Sequence, residues 1–307
     1  MVDRATLARR LREARERAGL TQAQVAALVG VRRPAIAEIE AGRRAVESTE
    51  LFRLADVYGV SLRWLVRGAE AEEDRLVAAL FRAGEAVAGG VRRREAMRLG
   101  RVCRTVVALE RELGLVKSRP PLPQYVRPAA LWSKSSAYRH GGEAAIAERA
   151  RLRLGLAPVR DVWGTLEAAG LHIVPLRLGA ESELDAALVR TGEADVCAGV
   201  NVDRWVFRQV FSAVHEYAHA VLDADVTAEA CSMEPRRWRA LAHERRLREM
   251  RANQFAAVFL APREALVEHF QAAGAMRGGR IVRLTPVDLV RAMGHFGMSA
   301  EALLWRL

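Results

Sequence analysis

Apolar residues in the first 68 positions recur three or four residues apart, in short stretches separated mainly by glycines. This spacing is typical of helices that bury one face. Thr21 is placed to cap the second helix, and Pro34 suits the first turn of the third, where its missing N–H costs nothing. The pattern predicts five short helices, one ending near residue 19 and the others over about 21–30, 32–42, 51–58 and 60–65.

The middle of the chain divides into an apolar stretch and a proline-rich one. Between residues 69 and 115, apolar residues at helical spacing are interrupted by Gly89 and Gly90, which predicts two helices that form core or an interface. Four of the ten prolines then fall within residues 120–128, and a proline-rich chain is a semi-rigid spacer. We therefore predict a linker over residues 118–142.

From residue 143 onward, helical and strand-like patterns are mixed. Two helices are expected at 143–154 and 158–169, β-like runs at 171–176, 186–190 and 196–202, and two long helices at 207–222 and 245–260. The predicted fold is mainly α and multidomain. Its expected parts are an all-α five-helix domain at 1–68, a helical connector that can serve dimerisation at 69–117, the linker at 118–142, and an α+β domain with a small sheet at 143–307.

Composition and charge narrow the class of protein. A net charge of +11 favours a polyanionic partner, and nucleic acid is the usual one. The alternative is genomic, because only Lys117 and Lys134 are lysines, and a GC-rich bacterial genome raises the arginine content of every protein. No apolar stretch reaches the roughly 18–20 residues of a membrane helix, and arginines interrupt the N-terminal region where a signal peptide would be apolar. A cytoplasmic protein without a membrane partner is expected.

One of the long helices carries His215, Glu216 and His219 in an H-E-x-x-H sequence. Residues four positions apart project from one face of a helix, so both imidazoles can bind one zinc ion. Glu216 then lies beside the open position of the metal, where it can deprotonate a bound water. Zinc needs a third protein ligand, and Glu249 on the next long helix completes a His2Glu set. This arrangement is that of a metallopeptidase.

The first 68 residues resemble the phage-repressor-type (XRE-like) helix-turn-helix family. The resemblance covers nearly the whole domain and is carried by Arg15, Ala18 to Gln22, Val25, Ala26, Gly30, Val31, Ile36, Ile39, Glu40, Gly42 and Tyr58 to Ser61. It implies that the helix at 32–40 enters the major groove, with homodimers bound to a palindromic operator in double-stranded DNA. It also implies an internal ion pair between Arg15 and Glu40.

The same resemblance assigns the DNA contacts. Arg33 stands where the family reads bases, and an arginine there favours guanine through a bidentate contact. Glu38 can accept from a cytosine amino group, although both side chains also suit a solvated surface. The phosphate contacts, which position the protein without specifying a sequence, are assigned to Gln22, Arg32, Arg43 and Arg44.

Residues 143–307 resemble the ImmA/IrrE family of zinc metallopeptidases. In that family H-E-x-x-H is followed by E-x-x-A-N-x-F-A and then by a proline, which here are residues 249–256 and Pro262. The resemblance implies a zincin-like domain that holds Zn²⁺ with the three ligands given above, and Glu216 as general base and later proton donor. Asn253, one turn beyond the third ligand, is placed behind the metal ligands. The implied substrate is a helix-turn-helix repressor, cleaved in a stress or mobile-element switch.

Two features depart from the family pattern. The position after the base is small or aliphatic and the next is glycine in the family, whereas this chain has Tyr217 and Ala218, and Tyr217 is expected to be bulky near the cleft. The segment at 236–248 is long and basic, and it suits a cover for the cleft, a DNA contact or a site for an acidic partner. Both features bear on whether the peptidase is active.

Three functions remain after these observations. The favoured one is a nucleoid-associated bacterial regulator whose zinc endopeptidase domain cleaves a repressor or its own chain. The second is a transcription factor whose peptidase-like domain senses a ligand or a partner without cleaving anything. The third is an antitoxin-like protein that binds DNA to regulate its own gene.

Overall fold

The computed structural model describes residues 2–68, 102–103, 105–110, 112–115, 120–125, 133–179, 182, 184–190, 196–224, 228–231 and 243–307. The chain divides into two compact units, Met1–Thr105 and Val106–Leu307. The predicted connector lies largely outside the described residues, as do parts of the predicted linker and of the basic segment. No helix in the described part of the chain is long and apolar enough to cross a membrane.

Five helices form within residues 2–68, as the apolar pattern predicts. They are α1 (Arg4–Arg17), α2 (Gln22–Val29), α3 (Arg33–Glu40), α4 (Ser48–Tyr58) and α5 (Leu62–Arg67). Thr21 caps α2 through a capping box with Gln24, and Gly30 ends that helix with a φ of 78°, a conformation that glycine adopts without strain. The shared apolar core includes Leu11, Val25, Ile36, Leu54 and Leu65.

The second unit combines helices with two small sheets. Its described elements are α6 (Lys134–Arg151), α7 (Val162–Ala168), β1 (His172–Leu176), β2 (Ala186–Arg190), β3 (Val196–Asn201), α8 (Val206–Leu222), β4 (Ala228–Cys231), α9 (His243–Leu260), α10 (Arg263–Ala272), β5 (Met276–Arg277), β6 (Arg280–Ile281), α11 (Pro286–Phe296) and α12 (Ala300–Leu304). Strands β4, β5 and β6 are not indicated by the periodicity of the sequence.

The structure corrects the predicted linker at 118–142. Helix α6 begins at Lys134, where Ser133 caps it, and it continues through Gly141 and Gly142. A Cβ on Gly141 would lie 2.3 Å from the carbonyl oxygen of Arg251 in α9, so this glycine permits a close helix–helix contact instead of breaking a helix. Residues 120–125 also pack on the unit, because the Tyr125 amide donates to the Val221 carbonyl of α8 at 2.9 Å.

The adjacent glycines of α6 predict opposite changes in stability. Gly141→Ala is expected to lower the free energy of unfolding by about 1–3 kcal/mol, since the new methyl group overlaps the Arg251 carbonyl. Gly142→Ala is the matched control, because the nearest atom to its Cβ would be 3.7 Å away. It should raise stability by up to about 1 kcal/mol, since Ala is the better helix former. Urea denaturation of both variants measures this, and a Gly141→Ala variant at least as stable as the wild type would contradict the close contact.

The larger sheet has four strands and packs against α8. Its strand order is β1-β3-β2-β4, with β1 parallel to β3 and with β2 antiparallel to both β3 and β4. Helix α8 packs on β2 and β3, and α9 packs on α6 and α8. Leu188 and Ala198 of the sheet share one apolar core with Val214, Phe255 and Phe259 of these helices. This core holds α8 and α9 side by side, and the candidate metal ligands lie on these two helices.

Candidate metal centre and DNA-binding surface

Helices α8 and α9 bring His215, His219 and Glu249 together in the interior of the second unit. The two imidazole side chains have no exposed surface, and that of Glu249 is 3% exposed. The Nε2 atoms of the histidines are 3.1 Å apart. The carboxylate oxygens of Glu249 lie 3.2 Å from Nε2 of His215 and 3.8 Å from Nε2 of His219. One ligand atom from each residue thus lies within 4.8 Å of the others, at a spacing that one metal ion can bridge.

The hydrogen-bond partner of Nδ1 on each imidazole determines which ring nitrogen is free to bind a metal. Nδ1 of His215 is 2.9 Å from Oδ1 of Asn253, and Nδ1 of His219 is 2.9 Å from Oδ2 of Asp223. Both partners are oxygen acceptors, so the neutral rings carry their proton on Nδ1 and keep the Nε2 lone pair for the metal side. Asn253 therefore lies behind His215, one of the candidate ligands, and its role beside a metal stays a prediction.

The donor atoms fit a zinc ion. Two lone pairs and a carboxylate this close repel one another unless a cation lies among them, either a proton on one ring or a metal ion. Burial disfavours the charged form of Glu249, but His215, His219 and Arg245 outweigh it and lower its pKa. Oε1 of Glu249 accepts no hydrogen bond from the described residues. Two imidazole nitrogens and one carboxylate form the ligand set of many catalytic zinc sites.

Glu216 directly follows the first histidine in the same buried turn of α8. Its side chain is fully buried, like those of His215 and His219. A carboxylate at this position of the helix is adjacent in sequence to one candidate ligand and three residues from the other. This placement agrees with the general-base assignment, which stays a prediction.

Tyr217 points away from the ligand face, contrary to the expectation that it is bulky near the cleft. Its hydroxyl donates to Glu148 of α6 and lies 3.2 Å from Nη2 of Arg151. Its ring packs against both Phe255 and Phe259 of α9, with centroids 6.2 Å away in both cases. Burial and the Glu148 carboxylate raise the pKa of the Tyr217 hydroxyl, which remains a neutral donor. Tyr217 thus belongs to the core and does not obstruct the candidate metal centre.

Two residues behind His219 were not identified from the sequence. Asp223 follows the last turn of α8, and its second oxygen accepts from Arg251 of α9. Both side chains are almost fully buried. Burial disfavours the charged form of Asp223, but His219 and Arg251 hold its pKa at about 2. The spacing of Asp223, four residues after His219, is a signal that could have revealed it, because i and i+4 share a helix face.

The predicted base-reading residues lie on the surface of the first unit. Arg33 opens α3 and Glu38 lies in its last turn, and both are exposed. Of the residues predicted to contact phosphate, Arg32 and Arg43 are exposed as well. The exposed side chains at the start of α3 leave this helix accessible to a DNA groove.

The predicted ion pair between Arg15 and Glu40 is confirmed, with Nε and Oε1 2.7 Å apart. Gln22 also contacts Glu40, since its amide donates to Oε2 at 3.0 Å. Arg44 pairs with Glu50 at 2.7 Å. Gln22 and Arg44, both assigned to phosphate, are therefore held by carboxylates of the domain and are partly buried. These contacts orient Gln22 at the start of α2 and Arg44 just after the end of α3.

Comparison with protein families matches both units. Residues 11–65 match the helix-turn-helix family, and residues 167–307 match the IrrE N-terminal-like domain of the M78 peptidases, which are typically metal-dependent. The comparison with curated proteins finds no match. The chain therefore combines an XRE-type helix-turn-helix domain with an IrrE-like domain of the M78 peptidase family, as the two resemblances in the sequence predict.

Proposed function

We propose that this protein is a DNA-binding transcriptional regulator with a zinc-dependent endopeptidase domain. The observation that supports the peptidase half most directly is the convergence of His215, His219 and Glu249 in one buried site, with both Nδ1 atoms facing oxygen acceptors. Zinc held by these three residues would lower the pKa of its water toward 7 and polarise the scissile carbonyl. Glu216 takes the proton from the attacking water and returns it to the leaving amine.

The DNA-binding half rests on the helix-turn-helix match and on the exposed side chains of α3. Arg33 reads a guanine in the major groove, and Glu38 accepts from a cytosine. Arg32 and Arg43, with Gln22 and Arg44 at the edges, contact phosphates. The protein binds as a homodimer to a palindromic operator, in keeping with the symmetry of such sites.

The two halves define the proposed substrate. A peptidase domain joined to a DNA-binding domain is brought to promoters, where helix-turn-helix repressors are also found. The protein therefore cleaves such a repressor, or its own chain, in the bacterial cytoplasm during a stress or mobile-element response. The proposed domains are those expected from the sequence, except that the peptidase domain includes α6 from Lys134 onward.

The metal content of the purified protein tests the peptidase half. We expect about one zinc per chain in the wild type, and loss of this zinc in His219→Ala and in Glu249→Ala. A matched control is His243→Ala, which removes an exposed histidine of α9 outside the site. Failure of the wild type to bind zinc, even after reconstitution, would contradict the proposal and favour a sensing domain.

Replacement of Arg33 tests the DNA-binding half. Arg33→Ala should cost about 1–3 kcal/mol of binding to the operator and relax the preference for guanine at one position of each half-site. Arg63→Ala removes an exposed arginine from α5 and should leave that preference unchanged. Selection of binding sites from random DNA, followed by titration, measures both effects. An unchanged base preference in the Arg33 variant would refute the placement.

A further inference from the structure

The two candidate histidine ligands differ in the charge behind them. Nδ1 of His215 contacts the neutral amide oxygen of Asn253, whereas Nδ1 of His219 contacts the carboxylate of Asp223, at 2.9 Å in both cases. The Asp223 carboxylate in turn accepts from Arg251. Behind His219, two buried charged groups, Asp223 and Arg251, are therefore hydrogen-bonded in series, whereas His215 contacts a neutral amide.

The location of this chain matters for the geometry of the site. Asp223 ends α8, where its amide donates to the carbonyl of His219 at 3.0 Å. Arg251 lies on α9, two residues after Glu249, and its side chain has no exposed surface. The Asp223–Arg251 pair therefore connects the helix that carries both histidines to the helix that carries the third ligand.

A carboxylate that accepts the Nδ1 proton makes an imidazole a better metal donor than a neutral amide does, and it fixes the tautomer and the ring plane. A buried carboxylate needs a partner for its second oxygen, and a guanidinium supplies it. Arg251 thus keeps Asp223 charged and oriented while Asp223 acts on His219. Deletion of Arg251 alone would leave a buried charge uncompensated.

We propose that Asp223 and Arg251 are positioning residues for the metal. They make His219 the stronger imidazole donor of the two, and they hold α8 and α9 at the spacing that lets Glu249 complete the site. This inference rests on the proposed zinc site. The competing interpretation is that the pair is only an ion pair that stabilises the fold, with no effect on metal affinity beyond stability.

Zinc affinity and stability measured on the same variants separate these two roles. Zinc affinity is measured by competition with a chromophoric chelator, and stability by thermal unfolding of the zinc-free protein. Asp223→Ala should weaken zinc binding by about 10–100-fold, and Asn253→Ala by less. An equal or larger loss in Asn253→Ala would contradict the difference between the two histidines.

A double variant addresses the loss of stability that Asp223→Ala will also cause. Asp223→Asn with Arg251→Met removes both buried charges and leaves an amide oxygen to accept from His219. Compared with Asp223→Ala, the double variant should recover most of the unfolding temperature of the zinc-free wild type. Its zinc affinity should stay at least about 10-fold below that of the wild type. Recovery of the affinity together with the stability would overturn the proposal.

One further test uses only the wild-type protein and so does not depend on whether a variant folds. Long-range proton–nitrogen NMR of the zinc-loaded protein with ¹⁵N-labelled histidine identifies which nitrogen of His219 carries hydrogen. We expect hydrogen on Nδ1 and the metal on Nε2, and zinc on Nδ1 would overturn the proposal. Absence of zinc from the wild type would instead overturn the metal site itself, so the two failures are distinguishable.

Discussion

Glu216→Gln is expected to leave zinc binding intact and to lower cleavage by about 10²–10⁴-fold, the usual contribution of a general base. The amide has nearly the shape of the carboxylate but cannot take a proton from water. Glu216 is not one of the three convergent residues, so its loss should not release the metal. The measurement compares zinc content and kcat/KM on a quenched-fluorescent peptide library for wild type and variant.

His219→Ala serves as the control for this variant, because it should lose zinc and cleavage together. Cleavage that survives Glu216→Gln in clean protein would contradict the assignment of the base. A wild type that holds zinc, and cleaves neither the library nor a co-encoded helix-turn-helix repressor, would favour the sensing function. The binding of a ligand that alters DNA affinity would then be the result to expect. An adjacent toxin-like reading frame would favour the antitoxin-like function.

The convergence of His215, His219 and Glu249 was predictable because most of it is local. Residues four apart on a helix share a face whatever surrounds the helix, so two of the three donors follow from spacing alone. The third donor depends on how α9 packs against α8, which spacing does not reveal. A carboxylate on the next long helix was the expected third ligand, and the family resemblance also assigned Glu249. The structure has its carboxylate 3.2 Å from the imidazole of His215.

The expectation for Tyr217 was wrong for a reason contained in the helix itself. At 3.6 residues per turn, Tyr217 lies about 200° around α8 from His215 and about 160° from His219, on the opposite face from the site. Its residue type suggested a steric conflict, but its helical position indicates the core. The structure shows the core position, with Tyr217 packed against the aromatic rings of Phe255 and Phe259.

The linker was predicted too long because prolines and glycines occur both in linkers and inside folded segments. Glycine ends many helices, but it also permits close packing of one backbone against another, which requires knowledge of the neighbouring helix. Gly141 has the second role, against the carbonyl of Arg251. Short strands β4, β5 and β6 were missed because two to four residues carry too little periodicity to be recognised.

Glu148→Ala is expected to lower the free energy of unfolding of the second unit by about 2–5 kcal/mol, because the hydroxyl groups of Tyr125 and Tyr217 lose their acceptor. The Glu148 side chain is fully buried, and its oxygens accept from Arg151 at 2.6 and 2.9 Å. They also accept from the hydroxyl groups of Tyr125 and Tyr217. Removal of the carboxylate leaves the two hydroxyl donors without their acceptor, whereas the guanidinium of Arg151 is exposed and can turn to water.

Glu143→Ala, an exposed glutamate of the same helix, is the matched control and should change stability by no more than about 0.5 kcal/mol. Urea denaturation of both zinc-free variants measures the difference. A loss of stability below about 1 kcal/mol in Glu148→Ala would mean that water takes the place of the carboxylate and satisfies its donors. Tyr217 shares α8 with the candidate metal ligands, and Tyr125 lies in the segment that precedes α6. A large loss of stability in Glu148→Ala would therefore show that this one buried carboxylate holds both residues 120–125 and α8 against the core.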